Sequence, residues 1–169
     1  MDLRSLQAPL KQQYRDEPDA AMITLRAVAD ETSTMTCSVD IGHAVYEAEA
    51  HAGVGGSGVS PCSGDLLLGA LAACAQITCQ MVAAAQGAPV ERVRVTVEGD
   101  LDLRGTLGIA RDAAVGFGAI RVNFDIAAPE ATEKQLSSLR RATEQYCTVM
   151  QTLLQPPQVE VRWGSAQDA

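Results

Sequence analysis

Aromatic residues are scarce in this chain, with two Phe, three Tyr and one Trp among 169 residues. The core must therefore be built from Ala, Val, Leu and Ile, whose smaller side chains let helices approach closely. Basic residues are also outnumbered, because 13 Lys and Arg face 21 Asp and Glu and leave a net charge of −8. This charge argues against nucleic acid or an anionic membrane as a partner. The length suits one domain with a real core.

Features of secreted and metal-binding proteins are also missing. The first residues include Asp2 and Arg4 and lack the apolar run of a secretory signal. The cysteine count is five, an odd number without the spacing of a small disulfide scaffold. We therefore expect a reducing cytoplasm, where a cysteine is either a core residue or a chemical one.

Only two histidines, His43 and His51, are available as metal ligands, with Glu47, Glu49 and Cys37 nearby in sequence. Eight residues along extended strands would separate the two histidines by about 26 Å. We therefore expect neither a metal site nor a cofactor. Neither histidine lies near a plausible nucleophile, so no Ser-His-Asp arrangement is indicated.

One long apolar segment organises the rest of the chain. Ser60 is a suitable N-cap, Pro61 suits the first helical position, and Asp65 favours the positive end of the helix dipole. Gly87 followed by Pro89 marks the end. These signals predict one helix of about 26 residues, roughly 39 Å long.

No residue from Leu66 to Val90 is charged, and a helix that is apolar on every side is normally buried on every side. Gln76, Thr78 and Gln80 interrupt the segment, and no basic or aromatic anchors flank it, which argues against a membrane span. A monomer of this size cannot cover such a helix completely. We therefore predict a homodimer that buries it from both sides.

Alternating patterns predict strands at residues 23–28, 34–40, 44–50, 93–97, 120–126 and 159–163. A capping-box pattern from Thr132 to Gln135 predicts a second helix, which Pro156 and Pro157 stop. The order βββ-α-ββ-α-β indicates an α+β fold. We divide the chain into an N-terminal arm (1–19), a single domain (20–163) and a C-terminal tail (164–169). The glycine-rich stretch 53–59 lacks the Lys-Ser/Thr ending of a phosphate-binding loop and is interpreted as a flexible loop.

Two cysteines lie on the predicted helices. Cys74 is in the middle of the first helix, with Thr78 one turn further on. Cys147 falls eleven residues after Leu136, which places it on the apolar stripe of the second helix. Packing of one helix against the other could bring the two thiols together. The alternative is that both are small core residues, since free cysteine is among the most buried residue types.

The other three cysteines carry weaker signals. Cys79 lies roughly 140° round the helix from Cys74 and should face the core. Cys62 is at a helix N-terminus, where the dipole would lower a thiol pKa, and is a minor candidate for reactivity. Cys37 lies on a strand without an obvious partner.

Two segments carry a resemblance to a known family. Residues 60–78, in which Ser-Pro-Cys-Ser-Gly-Asp-Leu-Leu-Leu leads through alanines to Cys74 and Thr78, resemble the first cysteine motif of the OsmC/Ohr family. Residues 146–153, Tyr-Cys-Thr-Val-Met-Gln-Thr-Leu, resemble its second motif, Cys-Pro-Val-x-x-Thr-Leu. The cysteines at 74 and 147 are 73 positions apart, similar to the family's spacing. The predicted strand order also agrees with the family's fold.

The resemblance implies a cysteine-based peroxidase. Cys74 would be the peroxidatic cysteine, which attacks an organic hydroperoxide, and Cys147 would resolve the product as a disulfide. An external dithiol would then reduce that disulfide. In this family the active sites lie at the interface of an intertwined dimer.

The chain departs from the family pattern at three positions. Thr148 replaces the family's Pro after the second cysteine. Gly64 occupies the place of an activating Glu, so the adjacent Asp65 could substitute or could be only a helix-terminus charge. Arg26, on the first predicted strand, is the candidate for the activating Arg, with a solvated strand residue as the alternative. The chain therefore looks more like the OsmC-like branch than a true Ohr.

A non-enzymatic function stays open beside the peroxidase. A protein of the same fold could use its thiols for redox sensing or packing, and could bind an apolar ligand at the dimer interface.

Overall fold

The computed structural model describes residues 3–42 and 44–164. Within these residues, five helices and five strands follow one another: α1 Leu3–Asp16, β1 Ala27–Ser33, β2 Thr36–Ile41, β3 Ala44–Glu49, α2 Ser63–Gln86, β4 Arg92–Leu101, α3 Leu103–Thr106, β5 Phe117–Ala127, α4 Glu133–Tyr146 and α5 Thr148–Leu154. Two short 3₁₀ turns lie at Pro18–Ala21 and Ala52–Val54. The mixed α+β class predicted from the sequence is confirmed.

The first sheet is an antiparallel meander in the order β1-β2-β3. Strand β1 lies later than the strand predicted at 23–28, since it also covers the polar residues from Asp30 to Ser33. These side chains are exposed, so their polarity is compatible with a strand. The turn falls instead at Thr34 and Met35. His43, which the sequence analysis weighed as a metal ligand, lies outside the described residues.

This sheet makes no extensive contact with any helix or strand in the rest of the described chain. Its main link to α2 is Glu49 at the end of β3. The Glu49 N–H donates to the Pro61 carbonyl at 3.1 Å. Its carboxylate accepts from the Ser57 hydroxyl at 2.7 Å and the Ser60 N–H at 3.0 Å. The hydrogen bond from Ser57 is the main cause that lowers the pKa of this carboxylate, and the bond from the Ser60 amide is the next. The carboxylate therefore stays ionised, and its two bonds hold the glycine-rich loop beside the start of the helix.

The long apolar helix α2 begins two residues later than predicted, at Ser63. Cys62 is its N-cap, and the Cys62 N–H donates to the Asp65 carboxylate at 2.9 Å. Ser60 and Pro61 therefore lie outside the helix, because Cys62 takes the N-cap position expected of Ser60. The Asp65 carboxylate accepts from the Cys62 N–H and completes a capping box. Gly87 ends the helix with φ of 66°, a left-handed conformation that favours glycine.

Burial of α2 is confined to one face in the single chain. Its buried residues, Leu71, Ala75, Cys79 and Ala83, recur every fourth position. On other faces Leu67, Ile77 and Met81 are 39 %, 52 % and 41 % exposed. One chain alone therefore leaves part of α2 exposed, as expected for a monomer of this size, and its complete burial in a homodimer stays a prediction.

By length and composition α2 could cross a membrane. One such helix is weak evidence, because the central helix of a globular core passes the same test.

Strands β4 and β5 form an antiparallel hairpin, with Val93 opposite Ile126, Val95 opposite Phe124 and Val97 opposite Val122. The predicted strands were shorter, but their inward-facing residues are the same ones. These side chains pack against the buried face of α2. Helices α4 and α5 also pack against α2.

The second long helix of the sequence analysis is in fact two helices. Helix α4 ends at Tyr146 and α5 begins at Thr148, with Cys147 in an extended conformation between them (φ −72°, ψ 103°). The predicted apolar stripe is accordingly interrupted, and Tyr146 is 63 % exposed. The predicted last strand is also not formed: residues 159–163 are irregular and exposed, since no described strand pairs with them.

The N-terminal arm contains helix α1, which buries none of its side chains, and its division from the domain stays a prediction. The Arg4 guanidinium of α1 donates to the Ala85 carbonyl at the end of α2. This bond occupies a carbonyl that the helix itself leaves free. Of the predicted C-terminal tail, residues 165–169 lie outside the described residues.

Candidate dithiol site

The structure brings Cys74 and Cys147 together. Cys74 lies in the middle of α2 and is partly buried, whereas Cys147 is fully buried at the break between α4 and α5. Cys74 packs against the buried cluster that contains Cys147, and each thiol affects the pKa of the other. The Cys74 sulfur also accepts a hydrogen bond from the Val149 N–H at 3.5 Å.

The break at Cys147 supplies these backbone donors. The Cys147 N–H donates to the Thr143 carbonyl at 3.0 Å and completes α4, while the Cys147 carbonyl accepts from the Gln151 N–H at 2.9 Å and starts α5. The first amides of a helix have no partner within it. Two of them, at Thr148 and Val149, therefore remain available to the Cys74 sulfur.

The two thiols have opposite pKa shifts. Burial raises the pKa of Cys74, but hydrogen bonds from the Val149 amide, Cys147, Thr78 and the Thr148 amide outweigh burial and lower it overall. Burial raises the pKa of Cys147, and its contact with Cys74 raises it further. At a given pH, Cys74 is therefore the better nucleophile and Cys147 retains its proton.

An apolar wall surrounds the thiols. Leu71, Ala75 and Cys147 form its buried centre. Packed against them are Cys74 and the side chains of Val95, Val97, Ile120, Val122, Phe124, Val149 and Met150. Such surroundings accommodate an organic substituent and limit the access of water.

The other two residues singled out in the sequence are not brought to this site in the single chain. Asp65 lies nine residues before Cys74 on α2, about 13.5 Å along the helix axis at about 1.5 Å per residue. Its carboxylate caps the helix, and its bond from the Cys62 N–H is the main reason that its pKa is lowered. Arg26 lies in the exposed, extended segment just before β1 and donates no hydrogen bond to Cys74.

The remaining cysteines lie apart from the pair. Cys79 is buried on the core face of α2, as its angle from Cys74 indicated, and burial raises its pKa. Cys62 is the N-cap of α2, and Cys37 belongs to β2. No group of three or more metal-ligating side chains is found among residues 3–42 and 44–164.

Sequence reasoning missed the backbone amides that hydrogen-bond the Cys74 sulfur. It also missed the helix break that frees them, since no Gly or Pro marks it. One signal was available. The family has a Pro at the position of Thr148. A proline favours an extended residue before it and is itself favoured at the first position of a helix. Cys147 and Thr148 have this geometry.

Fold and site together define a mixed α+β protein with a long central helix and an asymmetric pair of thiols. A sequence profile described as OsmC-like protein matches residues 55–162. The chain belongs to the OsmC-like protein family. None of the curated protein sequences is significantly similar to it.

Several solved structures share the fold. An OsmC-like protein from Mycoplasma pneumoniae superposes with a TM-score of 0.66 and 17 % sequence identity, covering 78 % of this chain and 88 % of that one. An organic hydroperoxide resistance protein OsmC from Legionella pneumophila superposes with a TM-score of 0.59 and 19 % sequence identity, covering 79 % of this chain and 90 % of that one. An organic hydroperoxide resistance protein from Elizabethkingia anophelis superposes with a TM-score of 0.58 and 18 % sequence identity, covering 78 % of this chain and 89 % of that one. At these identities the likeness shows the fold alone.

Proposed function

We propose that this protein is a thiol-dependent peroxidase that reduces organic hydroperoxides. The observation that carries the proposal is the packing of Cys74 against the cluster that contains the buried Cys147, with the Val149 N–H donating to the Cys74 sulfur at 3.5 Å. The pKa shifts agree with it, since the pKa of Cys74 is lowered and that of Cys147 is raised. A peroxidase of this kind needs one sulfur that ionises readily and a second, nearby thiol that stays protonated until the first is oxidised. The names of the Legionella and Elizabethkingia proteins, which refer to organic hydroperoxide resistance, agree with this reaction.

The first step is attack of the Cys74 thiolate on the outer oxygen of the hydroperoxide. The sulfur–oxygen bond forms as the oxygen–oxygen bond breaks, so Cys74 becomes a sulfenic acid. The inner oxygen leaves as an alkoxide and takes a proton to become an alcohol. The Val149 amide holds the thiolate in place, and the apolar wall receives the organic group.

The second step is condensation of the two sulfurs. The Cys147 sulfur attacks the sulfenic sulfur, a disulfide forms, and hydroxide leaves with the Cys147 proton as water. An external dithiol then reduces the disulfide by exchange and is itself oxidised. A reducing cytoplasm supplies such dithiols, and we propose it as the location of the protein.

We also propose that the protein acts as a homodimer. The three-stranded sheet lacks a covering layer in the described chain, and α2 leaves Ile77 and Met81 about half exposed. A second copy could cover both surfaces at once. The exposed segment that carries Arg26 would then be free to approach the partner's thiols, so the prediction for Arg26 applies to the dimer.

The test follows thiol loss and alcohol formation after addition of cumene hydroperoxide to the reduced protein. We expect two thiols to be lost per chain, a Cys74–Cys147 disulfide in the peptide map, and one cumyl alcohol per disulfide. Cys74→Ser should abolish the reaction, and Cys147→Ser should stop at the sulfenic acid. Cys37→Ser is the matched control, because Cys37 lies on a strand outside the site. Wild-type consumption of peroxide by Cys74→Ser would refute the assignment.

A redox sensor is the second candidate, because no cationic side chain hydrogen-bonds Cys74 within the described chain. A sensor would form the same disulfide but would not turn over. Sustained peroxide consumption with a dithiol in excess supports the enzyme, whereas a single oxidation at a rate independent of the dithiol supports the sensor.

A further inference from the structure

A large cavity lies between α1, α2 and the turn that joins α4 to α5. Its volume is about 640 Å³. Thr78 and Thr148 both line it, and the Thr78 hydroxyl and the Thr148 amide both lower the pKa of Cys74. Cys74 is itself only partly buried. One part of the cavity therefore lies beside the dithiol site.

The α2 wall of this cavity continues the face of the helix on which Cys74 lies. Thr78, Val82 and Ala85 line the cavity and follow Cys74 by four, eight and eleven positions, which are helical spacings. Ala85 is about 16 Å from Cys74 along the helix axis. A wall made mostly of apolar side chains therefore leads along α2 away from the thiol.

The charge in the lining of the cavity is of one sign. Lys11 on α1 lines it and no carboxylate does, although Asp and Glu outnumber Lys and Arg by 21 to 13 in the chain. The Lys11 ammonium group makes no ion pair and no hydrogen bond within residues 3–42 and 44–164. Its neighbours at helical spacing on α1 are Gln7, Ala8, Tyr14 and Arg15, so this helix offers it no carboxylate.

Lys11 and Cys74 have separate roles in the single chain. The causes that lower the pKa of Cys74 are hydrogen bonds, and no positive charge is among them. The Lys11 ammonium group is therefore not engaged by the thiol and is available to a bound molecule. The cavity combines an unpaired cation, an apolar wall and a reactive sulfur, which suits an apolar molecule that carries a negative charge.

We propose that Lys11 is a specificity-determining residue and favours organic hydroperoxides that carry an anionic group. This inference rests on the proposed function. The anionic group pairs with the Lys11 ammonium, and the hydrocarbon part lies along Met81 and Val82. The hydroperoxide then reaches the Cys74 thiolate beside Thr78. The bonds that form and break are those of the peroxidase reaction described above, because Lys11 only binds the substrate.

The experiment compares two hydroperoxides that differ by one carboxylate: cumene hydroperoxide and the same molecule with a carboxylate in the para position. The full-length, reduced protein is given each one with a dithiol in excess, and kcat and KM are measured. We expect kcat/KM to be about 2- to 5-fold higher for the carboxylate, because an exposed ion pair contributes little free energy. The preference should lie in KM and should weaken as salt is added, since salt screens exposed charges.

Variants at position 11 isolate the charge. Lys11→Gln should abolish the preference, Lys11→Arg should retain it and Lys11→Glu should reverse it. Lys134→Gln is the matched control, because Lys134 is the other lysine of the chain and lies on α4 outside this cavity. The inference is overturned if the wild type treats the two hydroperoxides alike, if Lys11→Gln keeps the preference, or if Lys134→Gln loses it to the same extent.

Binding of an unreactive analogue separates this inference from the proposed function. We titrate para-isopropylbenzoate into the wild type and into Lys11→Gln and follow the NMR shifts of the Thr78 and Tyr146 amides. The wild type should bind it about 2- to 5-fold more tightly. If this difference is found but neither hydroperoxide is consumed, the peroxidase assignment fails and the binding role of Lys11 stands. Equal affinity in the two proteins overturns that role, whatever the rate of peroxide consumption.

Discussion

Replacing Thr148 by proline tests whether backbone amides control the reactivity of Cys74. Proline lacks an N–H, so Thr148→Pro removes one of the two amides that lower the pKa of Cys74. The backbone can accept it, because Thr148 is the first residue of α5, where proline is favoured. Cys147 before it is already extended, with ψ of 103°, as a residue preceding proline should be.

The expected effect is modest because the bond is weak. A neutral hydrogen bond contributes about 0.5–1.5 kcal/mol net. The stronger donor, Val149, is already at 3.5 Å from the sulfur, so Thr148 belongs at the low end of that range. About 0.7 kcal/mol corresponds to about a threefold change in an equilibrium constant. Thr148→Pro should therefore raise the pKa of Cys74 and lower its thiolate fraction at neutral pH about threefold.

The assay is the rate of alkylation of the Cys74 peptide by iodoacetamide, measured by mass spectrometry so that the five cysteines are read separately. Thr148→Ala is the matched control, since it removes the side chain but keeps the N–H. The control should react at the wild-type rate. If Thr148→Pro and Thr148→Ala are both alkylated at the wild-type rate, the role of the amide is refuted. If both are alkylated more slowly by the same factor, the effect belongs to the threonine side chain.

Three further predictions concern residues around the site. Asp65→Ala should lower the free energy of unfolding by about 1 kcal/mol, because α2 loses its cap. The rate of peroxide consumption per folded molecule should stay unchanged. If that rate is lost while the stability is intact, Asp65 is catalytic. Thr143→Val should raise the free energy of unfolding in urea by about 1 kcal/mol, because an unpaired buried hydroxyl is removed; a decrease would show that the hydroxyl is paired. Alkylation of Cys74 should persist to lower pH than that of Cys79, because hydrogen bonds lower the pKa of the first and burial raises that of the second. Identical pH profiles would contradict the assigned shifts.

The strand patterns and the central helix could be predicted because they follow local rules. Val93, Val95 and Val97 alternate on β4 and face α2, and Gly87 ends the helix where the sequence indicated. The exact start of α2 could not be predicted, since Ser60 and Cys62 both precede Asp65, whose carboxylate can cap the helix. Only the fold decides which N–H the Asp65 carboxylate reaches.

The errors at the two ends of the domain have a different cause. Residues 159–163 alternate like a strand, but a strand needs a neighbour, and none is present in the described chain. The same holds for residues 23–26, which precede β1 without joining it. Both segments expose apolar side chains, including Ile23 at 75 % and Trp163 at 94 %. Their patterns are those of residues that pair with another surface, which agrees with the proposed dimer.

The helix break at Cys147 explains how a thiol in an apolar site can become reactive without an adjacent cation. In a continuous helix the Val149 N–H would donate to the carbonyl four residues earlier and would be unavailable to sulfur. The break frees it and directs it at Cys74, while the same turn buries Cys147 completely. One local distortion therefore lowers the pKa of the first cysteine and shields the second. The order of the proposed steps follows, because Cys147 stays protonated until oxidation makes the Cys74 sulfur an electrophile.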